Sequence, residues 1–150
     1  MTDPAAALDC CIDSFRRLCD VGCTWGVRVM VENHWGISAD ADVMVRICQA
    51  IERSHDKGVM HTLADWGNWP DTTDRYAAIE KVMPYAHAVH AKVNDIDEHL
   101  HHPRFDHATC LKISRAAGYD GYLGIEYEGK ADCVEGVRRG ATLLRKLLAT

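Results

Sequence analysis

The sequence predicts an α/β fold built on a parallel sheet. Two periodicities alternate along its 150 residues, with apolar positions at helical spacing giving way to short β-branched runs and back again. Hairpin signals are absent, and strands that alternate with helices must run parallel, because parallel neighbours need a crossover between them. The strands also share a polarity: each is apolar in the middle and ends in an ionisable residue.

The elements follow in order. Between Asp3 and Asp20 the apolar set Ala7, Leu8, Cys11, Phe15, Leu18 and Cys19 has helical spacing, with Gly22 placed as a stop. Val27 to Glu32 reads as the first strand. Ser38 and Asp40 are candidate caps for a helix reaching about Arg53, stopped by Gly58. Val59 to Asp65 is the second strand, and Thr73 to Val82 a third helix ending at Pro84. His87 to Lys92 is the third strand. Asp106 caps a fourth helix that ends at Gly118, Tyr122 to Tyr127 is the fourth strand, and a capping box from Asp132 to Glu135 opens the last helix, with Leu143, Leu144, Leu147 and Leu148 on its core stripe. The stretch Val93 to Phe105 is the longest irregular one. No linker or composition shift divides the chain, so residues 1–150 are expected to form a single domain.

Composition narrows the function. With 47% hydrophobic and 26% charged residues the chain is an ordinary globular one, large enough to build a core without disulfides or a structural metal. A net charge of −5, with 17 scattered Lys and Arg, provides no basic field for a phosphate backbone, so nucleic acid is not an expected partner. No apolar stretch is long enough for a membrane span and no secretory leader is evident. Seven cysteines without a C-x-x-C pair read as free thiols in a reducing compartment, and a cytoplasmic location is expected.

Glu32, Asp65, His90 and Glu126 end the four strands. In parallel α/β folds the C-terminal strand ends converge on one edge, where ligands bind. Three carboxylates and one imidazole make an oxygen-rich site suited to Mn²⁺, Mg²⁺ or Co²⁺ and acceptable to Zn²⁺. Such an ion keeps positions open for two adjacent oxygens of a sugar, and Glu32 and Glu126 are placed to act as base and acid from opposite sides. Glu128 shares the face of Glu126 by strand alternation and is an alternative ligand. His34, Trp35, Trp66, Asn68, Lys92 and Glu128 are candidate substrate contacts. Trp69 also follows a strand end, whereas His99, His101 and His102 read as a solvated loop. No Ser–His or Cys–His arrangement falls at the strand ends, which argues against a nucleophilic mechanism.

In order, the segments Glu32-Asn33-His34, Asp65-Trp66-Gly67-Asn68, His90-Ala91-Lys92 and Ile125-Glu126-Tyr127-Glu128-Gly129 resemble the second half of the sugar phosphate isomerase/epimerase family, the xylose-isomerase-like TIM barrels. The resemblance runs from Val27 to the C-terminus. It implies a (β/α)₈ TIM barrel of which this chain supplies strands five to eight with their helices, a C-terminal half-barrel. It further implies one divalent metal ion, Mn²⁺ before the alternatives, held by Glu32, Asp65, His90 and Glu126, with the two glutamates shuttling a proton. The expected activity is isomerisation or epimerisation of a sugar or sugar phosphate through a metal-bound enediolate. Asn68 stands where several ketose epimerases carry a substrate-contacting His, a departure that bears on the choice of sugar.

Two other readings accompany this one. One is a non-catalytic or incomplete metal-binding half-barrel that needs a partner chain. The other, an endonuclease-IV-like phosphodiesterase, calls for a three-zinc cluster and a basic groove, neither evident here. Parallel strands need cover on both faces and edges need partners, so the half-barrel is expected to pair, as a homodimer or with a separate N-terminal half-barrel chain.

Overall fold

In a computed structural model describing residues 3–55 and 58–150, four strands form one parallel sheet in sequence order: β1 (Val29–Glu32), β2 (Met60–Asp65), β3 (Ala86–Val93) and β4 (Leu123–Tyr127). Five helices accompany it: α1 (Pro4–Trp25), α2 (Ala41–Glu52), α3 (Arg75–Val82), α4 (His107–Ala116) and α5 (Cys133–Leu148). The expected alternation is present throughout, as half of a TIM barrel requires. None of the described helices is long and apolar enough to cross a membrane.

The boundaries shift where local hydrogen bonding outweighs sequence punctuation. α1 runs through Gly22 and ends at Gly26, whose φ of 65° is a left-handed cap. Gly22 serves another purpose: a Cβ there would lie 2.6 Å from the Val27 carbonyl oxygen, so its bareness lets the chain fold back over the helix end towards β1. The Val27 N–H closes this turn by donating to the Gly22 carbonyl at 2.8 Å. Ser38 caps no helix. It sits in a 3₁₀ turn, Gly36–Ala39, where its hydroxyl accepts from the His34 N–H, and the Asp40 carboxylate takes the first amides of α2.

Asp74 and Asp106 cap α3 and α4 in the same way. Asp132 accepts from the Glu135 N–H, but the Glu135 carboxylate turns to Arg139 at 3.1 Å, so half of the expected capping box forms.

The helices bury one face of the sheet. Met44, Ile47, Cys48 and Ile51 of α2 and Ala78, Ile79 and Val82 of α3 meet Val31, Ala64, Val89 and Ala91. On α5, Leu143 and Leu144 are buried, whereas Leu148 is exposed, one turn beyond the stripe that the sequence assigned to the core. The other face is open: His61, Leu63 and Ala88 are half-buried and Met30 is exposed. β1 and β4 are the sheet edges. All seven cysteines are free thiols.

Two loops beyond the C-terminal strand ends are tied together. The Asp95 carboxylate accepts from the Tyr127 hydroxyl at 2.6 Å and from the Lys130 and Ala131 amides, while the Glu128 N–H donates to the Val93 carbonyl. Further along, His102 lies against Phe105 and His107, with its Nε2 accepting from the Asn94 amide at 3.2 Å. An accepting nitrogen needs a neutral ring. Burial, then the neighbouring His107, Arg104 and Arg75, pushes the His102 pKa from 6.5 down to about 4. The folded state therefore binds fewer protons than the unfolded chain between these values, and this contribution to stability is lost as pH falls from about 6.5 towards 4. His102→Gln is expected to flatten that part of a urea-midpoint against pH profile. An unchanged slope would show that His102 does not carry it.

Candidate metal centre

The site begins with a residue whose role the sequence did not disclose. Asn33, fully buried just beyond β1, donates through Nδ2 to the Asp65 carbonyl at 2.9 Å and accepts through Oδ1 from the Asp65 N–H at 2.8 Å. This reciprocal pair fixes the end of β1 beside that of β2. Asp65 Oδ1 in turn accepts from the amides of Gly67 (2.6 Å) and Asn68 (2.9 Å), which locks the carboxylate and leaves Oδ2 without a hydrogen bond. A side chain held by its own loop amides is preorganised to aim its second oxygen outward.

That oxygen faces three other strand ends. His90 Nδ1 lies 3.3 Å from Glu32 Oε1, 3.2 Å from Glu126 Oε2 and 3.8 Å from Asp65 Oδ2. One donor atom from each of the four residues falls within 4.8 Å of every other, although β1 and β4 are opposite edges of the sheet. Asp65 is fully buried, while the side chains of Glu32, His90 and Glu126 are 32%, 32% and 37% exposed towards the open face. Glu126, not Glu128, belongs to this group of four.

Lys92 is the resident cation. Its Nζ lies 2.9 Å from Glu126, 3.0 Å from Glu128 and 3.5 Å from Asp65, none of them aligned as a hydrogen bond, and the side chain is buried. The stem runs directly over Gly67, where a Cβ would meet Lys92 Cγ within van der Waals overlap. Glycine is thus required for the lysine to reach the carboxylates.

The electrostatics divide the acids. Burial raises the Asp65 pKa from 3.8 to about 7, against the pull of Lys92 and the two loop amides. Glu126 feels burial too, but Lys92 above all, with the nearby His90, holds it below its ordinary value. A buried Asp65 carboxylate whose Oδ2 accepts no hydrogen bond, gathered with Glu32, His90 and Glu126, fits a divalent cation and the oxygen-rich donor set it prefers.

A cavity of about 490 Å³ lies alongside; none of the four residues lines it, but Gly67, whose amide holds Asp65, and Glu128, paired with Lys92, do. His34, Trp35, Asn68, Glu128 and Trp69 are among the residues that line it. Lys92 stands behind Gly67 rather than in the cavity wall. Trp66 departs from expectation: it is fully buried, edge-on to His107 with ring centroids 5.8 Å apart, because it continues the β2 alternation, its N–H donating to the His90 carbonyl, and so shares the helix-covered side with Thr62 and Ala64. Arg104 and Asp71 complete the rim, paired at 3.1 Å; both come from irregular segments, where periodicity carries no signal. His99 and His101 are solvated and pair locally with Glu98 and Asp97.

The chain is similar to the C-glycoside deglycosidase alpha subunit of Arthrobacter globiformis, with 31% identity over 96 residues, which make up 59% of this chain and 24% of that protein. A model of the xylose isomerase-like TIM barrel matches residues 1–147, an interval that contains all four strands and the four converging side chains. The chain belongs to the xylose isomerase-like TIM barrel family.

Proposed function

We propose that the chain binds one divalent metal ion between Glu32, Asp65, His90 and Glu126 and performs proton transfer on a sugar, as an isomerase or epimerase. The observation that carries this reading is the convergence of four donor atoms, one from each strand, within 4.8 Å of one another. When bound, a divalent ion, Mn²⁺ in the first instance, supplies the Lewis acidity that polarises a carbonyl and acidifies the adjoining C–H. The protein's own groups do the rest. Glu32 and Glu126 approach from opposite edges of the sheet; Glu126, kept ionised beside Lys92, is ready to take up the substrate's proton, while Glu32 in its acid form delivers its own proton from the other side.

The open face of the sheet favours a second element of this reading. Half-exposed ligands and unpaired β1 and β4 edges call for another four strands, supplied by a second copy or by a separate chain. The relative from Arthrobacter globiformis, named as a subunit, is in keeping with assembly from more than one chain. If the cover is obligatory, the isolated chain binds metal but turns nothing over. Seven free cysteines are in keeping with a reducing, cytoplasmic setting.

The test is metal content after dialysis against Mn²⁺. Wild type is expected to retain one ion per chain, and His90→Ala to bind it roughly 100-fold more weakly, at or beyond the upper end of what supporting residues cost. Equal metal content in both proteins would refute the assignment. Incubation of an accepted sugar in deuterated water should exchange the proton next to its carbonyl, and turnover without exchange would exclude the proton-transfer mechanism.

A further inference from the structure

Four hydrogen bonds meet on two peptide groups in the loop after β2. The amides of Gly67 and Asn68 donate to Asp65 Oδ1 at 2.6 and 2.9 Å. Arg75 Nη1 donates to the carbonyls of Trp66 and Gly67 at 2.8 and 3.0 Å. The Trp66 carbonyl and the Gly67 N–H belong to one peptide group, the Gly67 carbonyl and the Asn68 N–H to the next. Each group therefore accepts from the guanidinium at one end and donates to the carboxylate at the other, and a single nitrogen serves both carbonyls with its two hydrogens.

Such a chain of bonds carries the effect of a charge across the backbone. A carbonyl that accepts from a cation polarises its own peptide group, and the N–H of that group becomes a stronger donor, most of all where water is scarce. Asp65 is fully buried, and the cationic side chains within reach of its Oδ2 are His90 and Lys92. Arg75 acts on the same carboxylate from the far side of the two peptide groups. Its own place is fixed as well. It is the first residue of α3, directly after the Asp74 cap, and its guanidinium lies over the Phe105 ring, 4.7 Å from the centroid. Asp71, an acid close enough to act on Arg75, pairs instead with Arg104 at 3.1 Å.

We infer that Arg75 is a positioning residue for the metal centre: by gripping the Trp66 and Gly67 carbonyls it aligns and strengthens the two amides that lock Asp65 Oδ1, and so keeps Asp65 Oδ2 directed at Glu32, His90 and Glu126. The inference rests on the proposed metal-centre reading for what that oxygen binds, but the relay of bonds is present without metal and is measurable without it.

The experiment compares the full chain with Arg75→Met, Arg75→Lys and Asp74→Ala. Asp74→Ala removes the cap of the same helix and leaves both carbonyl bonds in place, so it reports what a loosened α3 does by itself. In titration calorimetry the Mn²⁺ dissociation constant is expected to rise roughly tenfold or more in Arg75→Met, the scale on which partners of metal ligands act. It should rise less in Arg75→Lys, which keeps a cation at the loop, and stay at the wild-type value in Asp74→Ala. In EDTA, the backbone amide protons of Gly67 and Asn68 in ¹⁵N-labelled protein should move upfield together in Arg75→Met and hold their positions in Asp74→Ala. Unchanged Mn²⁺ affinity in Arg75→Met, amide resonances that stay in place, or an equal loss of affinity in Asp74→Ala would each overturn the inference. A wild type that holds no Mn²⁺ would fault the metal centre instead, and the amide shifts in EDTA would then decide the role of Arg75.

Discussion

Glu126→Gln and Glu32→Gln are each expected to lower turnover of an accepted sugar by roughly 10²–10⁴-fold when measured at saturating Mn²⁺. Glutamine keeps the size of the side chain and one ligating oxygen but cannot take up a proton. The two variants should differ in detail. Glu126 touches Lys92 at 2.9 Å, and its neutral replacement removes one of the three anions around that ammonium, whereas Glu32 reaches only the His90 ring at 3.3 Å. Glu126→Gln should therefore also alter thermal stability in EDTA, and Glu32→Gln should not. Solvent deuterium incorporation assigns the roles: the variant lacking the abstracting base loses exchange along with turnover. Undiminished turnover in either variant, with metal bound, would rule out that glutamate as a proton carrier.

Lys92→Met is expected to destabilise the metal-free protein by roughly 3 kcal/mol, the lower end of what removing one partner from a buried ion pair costs. The lower end applies because Asp65, with a pKa already near 7 beside Lys92, escapes part of the penalty by taking up a proton once the lysine is gone. Methionine preserves the stem that fills the space over Gly67, so the loss reflects charge more than volume. Mn²⁺ in excess should recover much of the difference, because an ion that binds only the folded state stabilises it by about 2.7 kcal/mol at a hundred times its dissociation constant. The Mn²⁺-dependent rise in urea midpoint should thus be larger in Lys92→Met than in wild type. Equal midpoints for both proteins in EDTA would show that Lys92 has no part in balancing these carboxylates.

The alternation of periods exposed the order and direction of the elements, because burial of one face of each helix and of the middle of each strand writes itself into residue spacing. Glu32, Asp65, His90 and Glu126 were legible for the same reason: a charged residue closing an apolar strand is conspicuous. What spacing could not carry was anything set by backbone hydrogen bonding between distant segments. Asn33 reads as one more polar residue after a strand, yet it ties β1 to β2 across 32 positions. Gly22 reads as a helix stop, though its role is to let Val27 approach. Trp66 was grouped with Trp35 by its place after a strand, while the β2 alternation continues one residue past Asp65 and puts it on the helix-covered side. Arg104 and Asp71 lie in irregular chain, where no period exists to be read.

The Asp95 clasp bears on motion. By gathering the Tyr127 hydroxyl and the Lys130 and Ala131 amides onto one carboxylate, it makes the loops that follow β3 and β4 a single mechanical body. Neither loop can swing without breaking three hydrogen bonds at once, so the wall on the Glu126 and Glu128 side keeps its shape through binding and release. On the other side Trp35 stands exposed, and Ser38, accepting from the His34 amide and donating to the Trp35 carbonyl, ties the turn by local bonds alone, with no clasp of the Asp95 kind across it among the described residues.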